Sequence, residues 1–165
     1  MDPRFCAEIE QLYMEMFEML FEYARSFLPN DALAEETVQE TFQIACQKPQ
    51  ALCESPNPKG WLVNTIKNVV SNTVRSRANA NRILTRYTAM QMERLSAMDT
   101  CAGIDLLCDE VAASDEFKLI KEMAIDGRSY LEMAQSRGIS VEACRKRVQR
   151  AKEVLRKKYE NDVTF

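Results

Sequence analysis

The chain has 165 residues, of which 46% are hydrophobic, and it contains only four glycines and five prolines. This composition supplies a buried core but too few turn-forming residues for a turn-rich β protein, so we expect an all-α fold. The net charge of −3 conceals an alternation along the chain. Residues 1–60 hold 4 Lys or Arg and 11 Asp or Glu, residues 61–98 hold 6 and 1, residues 99–127 hold 2 and 8, and residues 128–158 hold 10 and 3. Two basic blocks predict two contacts with nucleic acid, and the acidic blocks favour a basic protein partner or keep the basic blocks soluble.

The six cysteines and the absence of histidine limit the chemistry of the chain. The cysteines form no C-x-x-C pair, which disfavours a disulfide framework and a zinc site. The commonest general base is missing, and we find no nucleophile elbow, phosphate-binding glycine loop or metalloprotease motif. We therefore expect no catalytic residue, no metal site and no cofactor. With no signal peptide and no apolar run long enough to span a membrane, a cytoplasmic protein without direct membrane insertion is expected.

Apolar residues recur at helical spacing along most of the chain. This spacing predicts a first helix over residues 7–27 and a second over residues 32–47, followed by a proline-containing loop over residues 48–58. A third helix opens near Lys59, and its pattern becomes less regular over residues 79–98. We interpret residues 87–110 as a linker that holds some helix. A short helix over residues 114–125 ends at Asp126 and Gly127, a common stop signal.

Two of these helices carry polar faces that a packed core does not explain. On the second helix, the outward face is made of acceptors without nearby cations: Glu35, Glu36, Gln39 and Glu40. On the third helix, amides and cations alternate on the side opposite to Trp61, Thr65, Val69 and Val70: they are Asn64, Lys67, Asn68, Asn72, Arg75 and Arg77. Amides interleaved with cations suit base edges and phosphates. The single tryptophan is either a core anchor or a stacking platform, and we favour the core.

Residues 129–158 are typical of two helices joined by a tight turn. Gly138 stands where the chain must leave the first helix in a left-handed conformation, and Ser140 can cap the second. An apolar stripe follows on the second helix at three- and four-residue steps: Cys144, Val148, Ala151 and Leu155. The remaining surface is basic: Arg145, Lys146, Arg147, Arg150 and Lys152. The pattern predicts a helix-turn-helix whose second helix enters the major groove, although a basic surface helix of an ordinary bundle has the same pattern.

Three segments together resemble conserved regions 2 and 4 of bacterial RNA polymerase sigma factors, in order and spacing. They are LAEETVQETF at 33–42, NPKGWLVNTIKNVVSNTVRSR at 57–77 and SYLEMAQSRGISVEACRKRVQRAKEVLRKKY at 129–159. The most similar type is the short extracytoplasmic-function (ECF) class. The resemblance implies two small helical domains joined by a linker: a region 2-like domain over residues 1–86, the linker over 87–110, and a region 4-like helix-turn-helix domain over 111–165.

The resemblance also implies partners and site residues. Core RNA polymerase would bind through the clamp helices of its largest subunit and the flap of its second-largest subunit. The clamp helices would meet Asp31, Glu35, Glu36, Gln39 and Glu40, with Phe42 packing beneath. Single-stranded minus-10 DNA would meet Lys59, Asn64, Lys67, Asn68, Asn72 and Arg75, with Trp61 seating the helix. The minus-35 element would meet the helix that opens at Ser140, through Val141, Glu142, Arg145, Lys146, Arg147 and Arg150. An anti-sigma factor is a further expected partner.

Three departures from the family pattern leave other functions open. Asn72 stands where the family usually has aspartate, AASDEFKLIKEM over 112–123 replaces a Leu-Pro followed by arginine, and Val141 with Glu142 replaces a Glu-Gly pair. Our expectation is a non-catalytic sigma factor that directs promoter recognition, melting and transcription initiation. The alternatives are a stand-alone helix-turn-helix regulator and a sigma-like protein that occupies polymerase without initiating. The charge alternation further suggests that the free chain binds DNA poorly.

Overall fold

The computed structural model describes residues 3–96 and 114–161, and over these residues the chain forms seven α-helices. They are α1 (Pro3–Arg25), α2 (Asp31–Gln47), α3 (Pro49–Cys53), α4 (Pro58–Ser96), α5 (Asp115–Ala124), α6 (Tyr130–Arg137) and α7 (Val141–Asn161). The expected all-α fold is confirmed. In the part of the chain so described, none of the helices combines the length and the apolar composition that crossing a bilayer requires.

The helix boundaries differ from the prediction in two places. The expected loop over residues 48–58 contains the short helix α3, which begins at Pro49. Proline is tolerated at the first position of a helix because its missing N–H has no partner there in any case. The third predicted helix, α4, continues to Ser96, because residues 61–96 contain neither glycine nor proline to stop it. The predicted linker is thus helical over residues 87–96, and its remaining part lies outside the described residues.

The first of two compact units comprises residues 1–75. Its core joins α1, α2, α3 and the first part of α4 through side chains such as Leu20, Val38, Leu52 and Ile66, which have at most 1% exposure. Burying one such side chain contributes roughly 1.5–3 kcal/mol. The N-terminus of α2 is fixed by Asn30, whose side chain accepts a hydrogen bond from the backbone N–H of Leu33 at 2.9 Å.

The N-terminus of α4 depends on a close approach at Gly60. The Asn57 Oδ1 atom accepts a hydrogen bond from the Gly60 N–H at 2.9 Å. A Cβ atom at position 60 would lie 2.6 Å from Asn57 Nδ2, inside van der Waals contact. Glycine at this position therefore lets the side chain of Asn57 satisfy one of the unpaired donors of the helix.

The second unit comprises residues 76–165 and gathers the later part of α4 with α5, α6 and α7. Its core takes Ala80, Ile83, Leu84 and Tyr87 from α4 and is centred on fully buried side chains of the other helices, among them Ile120, Met133 and Leu155. The residue range 1–86 predicted for the first functional domain therefore includes side chains that pack in the second unit. The functional boundary at residue 86 stays a prediction.

The turn between α6 and α7 has the geometry that the sequence predicts. Gly138 has a φ of 61° and a ψ of 35°, which is left-handed. Its N–H donates to the Gln135 carbonyl at 3.2 Å, and the Ile139 N–H donates to the Ala134 carbonyl at 3.1 Å. This pair of hydrogen bonds is a Schellman motif and satisfies carbonyls that the helix end would leave unpaired. One residue later, the Ser140 hydroxyl accepts from the Ala143 N–H at 3.2 Å, so α7 begins with a side-chain cap.

Candidate nucleic-acid and protein interfaces

The first candidate surface is the α2 acidic face, formed by Asp31, Glu35, Glu36, Gln39 and Glu40. Asp31, Glu35 and Gln39 are exposed, whereas Glu36 and Glu40 are half-buried. Gln39 donates to Glu35 at 3.2 Å. Asp31 lies 3.1 Å from the Nε atom of Arg25 on α1. Asp31, which the resemblance adds to this face, thus has a cation of the same chain beside it, because the turn between α1 and α2 brings the last residue of α1 back to it.

The underside of α2 is apolar and buried. Phe42 has 5% exposure, and its ring meets the ring of Tyr13 edge-on, with a centroid distance of 4.8 Å. Thr37 and Thr41 are also buried, and their hydroxyls donate to the carbonyls of Leu33 and Thr37 at 2.7 and 2.9 Å. Because these buried hydroxyls are satisfied within the helix, the underside packs at no polar cost and the acidic side chains are left on the outer side.

The second candidate surface is the α4 polar stripe, formed by Asn64, Lys67, Asn68, Asn72 and Arg75. All five side chains are exposed. Their spacing places them on one side of the helix over a length of about 16 Å at ~1.5 Å per residue. At the edge of this stripe, Trp61 is half-buried against the core of the first unit, as we expected of a core anchor.

Two cations predicted beside this stripe have a different environment. Lys59 is exposed, but its Nζ atom lies 2.8 Å from Glu15 Oε2 on α1, and this hydrogen bond holds the pKa of Glu15 below its ordinary value. Arg77 is half-buried instead of outward, and burial lowers the pKa of its guanidinium. Its Nη1 atom has no hydrogen-bond partner among the described residues. The outward prediction for Arg77 is wrong because position 77 follows the buried side of α4 into the second unit.

The third candidate surface is the α7 basic face, formed by Glu142, Arg145, Lys146, Arg147 and Arg150. Arg145 is half-buried and the other four are exposed, while Val141 beside them is half-buried. Lys146 Nζ lies 2.8 Å from Glu142 Oε1, and this hydrogen bond lowers the pKa of Glu142. The guanidinium carbon of Arg145 lies 5.5 Å from the centroid of the Tyr130 ring. The predicted apolar stripe is confirmed, since all of its members are buried: Cys144, Val148, Ala151 and Leu155.

Lys152 was predicted to lie on the basic surface, and this prediction is wrong. The residue has 6% exposure, and its Nζ atom donates to the Ser76 carbonyl at 3.2 Å and to the Ser76 hydroxyl at 2.9 Å. Position 152 lies four residues after Val148 and three before Leu155, so helical geometry turns it toward the buried stripe. Burial lowers the pKa of its ammonium group.

A three-residue ionic cluster in the second unit was not anticipated. Arg137 on α6 donates to both carboxylate oxygens of Glu122 on α5, at 2.8 and 3.0 Å, and Arg128 donates to the same carboxylate at 3.2 Å. The cluster fixes α6 relative to α5. The next element does carry a sequence signal: Ser129 and Glu132 form a reciprocal capping box at the start of α6, at 3.1 and 2.8 Å, and the Ser-x-x-Glu spacing of this motif is readable in the sequence.

The thiols that the structure describes are Cys6, Cys46, Cys53 and Cys144, and all of them are free. Burial raises the pKa of the Cys53 thiol to about 11, which keeps it protonated and unreactive at neutral pH. Within residues 3–96 and 114–161, no group of three ligating side chains is arranged to hold a metal ion.

Comparison with known proteins agrees with this arrangement. Residues 12–80 match the family model of sigma-70 region 2, a stretch that begins in α1 and ends in α4. This stretch of the chain is thus similar to region 2 of sigma-70 factors. The ECF RNA polymerase sigma factor SigL of Mycobacterium tuberculosis, from three strains, is 26% identical over 155 residues, which cover 91% of this chain and 88% of SigL. No solved structure matches the chain. The family match and the relative both support an ECF-type sigma factor.

Proposed function

We propose that this protein binds core RNA polymerase, directs it to promoters, and promotes DNA melting and transcription initiation there. The observation that carries the proposal is that the region 2 match, residues 12–80, encloses both the α2 acidic face and the α4 polar stripe. The first surface is acidic and suits a basic protein, whereas the second carries amides and cations and suits nucleic acid. The protein acts by binding alone, in the cytoplasm, and an anti-sigma factor is its proposed regulator.

The α2 acidic face is the proposed contact with the clamp helices of the polymerase largest subunit. Exposed carboxylates and an amide on a rigid helix suit a basic helical partner and would speed association through complementary charge. Asp31 would then exchange its ion pair with Arg25 for one with the polymerase, or share it. Phe42 supports this face from below, packed against Tyr13.

The α4 polar stripe is the proposed contact with the single-stranded minus-10 element. Amide side chains can hydrogen-bond to the edges of unpaired bases, while Lys67 and Arg75 meet phosphates. Binding bases that have left the stack offsets an unstacking cost of a few kcal/mol per step. Trp61, half-buried against the core of the first unit, seats the helix and keeps the stripe rigid.

The α7 basic face is the proposed contact with the minus-35 element in the major groove. The left-handed turn at Gly138 and the Ser140 cap support a helix-turn-helix, whose second helix presents its first turns to base edges. There Arg145 and Lys146 suit guanine, and Glu142 can accept from the amino group of cytosine. Arg147 and Arg150 suit the phosphate backbone. The region 4 flap contact on the second-largest polymerase subunit belongs to the same proposal.

Run-off transcription with purified core polymerase and a library of promoter fragments tests the proposal. We expect specific initiation that is lost when Arg145, Lys146 and Arg147 are all changed to Gln. The matched control changes Lys157 and Lys158 to Gln, because both are exposed on the same helix but lie three turns from the first group. Loss of initiation in both proteins would show a general charge effect instead of minus-35 recognition.

Two further variants separate the other surfaces. Asn68→Ala with Asn72→Ala should retain polymerase binding and lose open-complex formation, whereas Asn81→Ala, an exposed asparagine on the same helix, should retain both. Charge reversal at Glu35 should weaken binding to core polymerase, and the same change at the exposed Glu18 of α1 should not. Polymerase binding without initiation would favour the non-initiating alternative, and a stable dimer that binds a palindrome without polymerase would favour the stand-alone regulator.

A further inference from the structure

Arg145 is held differently from the other cations of the α7 basic face. Lys146, Arg147 and Arg150 are exposed, whereas Arg145 is half-buried and its guanidinium lies over the ring of Tyr130, 5.5 Å from the ring centroid. This distance is within the range of a cation–π interaction, which is strongest over the face of an aromatic ring. Arg145 is the fifth residue of α7, so it lies in the first turns, which a recognition helix presents to base edges.

The ring of Tyr130 is itself fixed from several sides. It packs against the core cluster of the second unit, and its hydroxyl lies 3.8 Å from the Met123 sulfur on α5. Tyr130 is also the first residue of α6, directly after the Ser129 that forms the capping box with Glu132. A ring held by core packing at a capped helix start moves little, and it can therefore restrict a side chain that stacks on it.

We propose that Tyr130 is a positioning residue that holds the Arg145 guanidinium in place for reading the minus-35 element, an inference that rests on the proposed function. A flexible arginine side chain has many rotamers, and part of this freedom is lost when it contacts DNA. Stacking on Tyr130 removes part of that freedom before DNA binds. A cation–π contact uses the face of the guanidinium, whereas the two hydrogen bonds that arginine donates to one guanine come from N–H groups on its edge.

The side chain of Lys146, the next residue, is held in a different way from that of Arg145. Its ammonium group is held by Glu142 of the same helix through an exposed ion pair, and such pairs contribute little when solvent surrounds both groups. Arg145 is held by a ring of another helix. The two neighbouring cations therefore differ in how far they are ordered before binding, and base discrimination should depend on Tyr130 much more at the base pair that Arg145 meets than elsewhere.

Holoenzyme assembled from core polymerase and the full chain tests this inference on the promoter found by run-off transcription. We expect Tyr130→Leu to weaken promoter binding by up to about 30-fold, because Arg145 then loses all of its rotamer freedom only when DNA binds. The loss of discrimination should be confined to one base pair of the minus-35 element. Tyr130→Phe keeps the ring and should behave like the wild type. If Tyr130→Phe and Tyr130→Leu lose the same amount, the ring does not act through stacking and the inference is overturned.

A double-mutant cycle distinguishes positioning from a structural role. In the Arg145→Gln background, Tyr130→Leu should cause no further loss of discrimination, because the side chain that it positions is gone. An equal loss in both backgrounds would show that Tyr130 acts only through folding, and thermal unfolding of each variant measures that part directly. If Arg147→Gln weakens promoter binding and Tyr130→Leu does not, only the positioning role fails. If the wild-type chain neither binds polymerase nor supports initiation, the proposed function fails with it.

Discussion

Replacing Glu122 by Gln should destabilise the second unit by about 2–3 kcal/mol. Glu122 accepts two hydrogen bonds from Arg137, at 2.8 and 3.0 Å, and one from Arg128 at 3.2 Å. A hydrogen bond to a charged group contributes roughly 1.5–3 kcal/mol when it is shielded from solvent. The Arg137 side chain is 25% exposed and keeps most of this value, whereas the Arg128 side chain is 37% exposed and contributes only about 0.5 kcal/mol. The neutral amide also removes the carboxylate that both of these partly buried cations contact.

Thermal unfolding followed by circular dichroism measures this loss, and hydrogen exchange of the α5 and α6 amides localises it. For a unit of about 90 residues, the expected loss lowers the midpoint by on the order of 10 °C. Glu153→Gln is the matched control, since Glu153 is exposed and accepts only from Gln149 at 3.1 Å in the described contacts. Its effect should stay below about 0.5 kcal/mol.

The dependence of this stability difference on pH tests the argument further. Hydrogen bonding from Arg137, followed by the two positive charges, holds the pKa of Glu122 below its ordinary value in the folded protein. The stabilisation is then fully present above the unfolded pKa of about 4.3 and is lost as pH falls through the lower folded pKa. The difference between wild type and Glu122→Gln should be constant from pH 6 to 8 and should narrow below about pH 4. Equal stability at pH 7, or a difference that persists unchanged into strong acid, would refute the argument.

Three further changes have expected outcomes in urea unfolding. Gly138→Ala should lower the free energy of unfolding by about 1 kcal/mol, because a φ of 61° is unfavourable for a residue with a Cβ atom even though nothing lies within 4 Å of that atom. Gly138→Asn should lower it by less, and equal losses for the two variants would contradict this explanation. Asn30→Ala should cost about 1 kcal/mol through the lost cap on Leu33, and no loss would show that solvent replaces the cap. Burial lowers the pKa of Lys152 in the folded protein, so the stability of the wild type should rise as pH increases from that folded pKa toward the unfolded pKa of about 10.4. Lys152→Met should remove this rise. Parallel pH profiles of the two proteins would contradict the argument.

The periodicity of apolar residues was sufficient to predict the long helices except for the last part of α4, residues 87–96, which we had assigned to the linker. The buried side of that helix runs from Leu62 and Ile66 in the first unit to Ile83 and Tyr87 in the second. All four positions follow one helical repeat. Between Ile66 and Ile83, this side of the helix includes polar residues near position 76. The apolar pattern is therefore interrupted there, although the helix continues. Local spacing also cannot tell which other helices cover a buried side, and for this reason the second half of α4 could not be assigned to the second unit.

The candidate surfaces were predictable where they depend only on helical phase. The exposed members of the α4 polar stripe and the buried stripe of α7 are both as expected, because three- and four-residue steps fix the side of the helix. The ion pairs were not predictable in the same way. Glu122 and Arg137 are 15 residues apart on different helices, and only the packing of α5 on α6 brings them together. Their meeting is a property of tertiary structure that no short motif records.

Two side chains that interrupt the apolar sides of α4 and α7, Ser76 and Lys152, contact each other. Ser76 is a polar residue on the buried side of α4, and Lys152 is a cation on the buried side of α7, so each looks wrong for its own helix. In the folded second unit, Lys152 Nζ donates to the Ser76 hydroxyl at 2.9 Å and to the Ser76 carbonyl at 3.2 Å. A buried ammonium is costly unless acceptors meet it, and a serine in the facing stripe supplies two. A break in one apolar stripe and a misplaced cation in another are therefore better interpreted together, as evidence that the two helix faces meet.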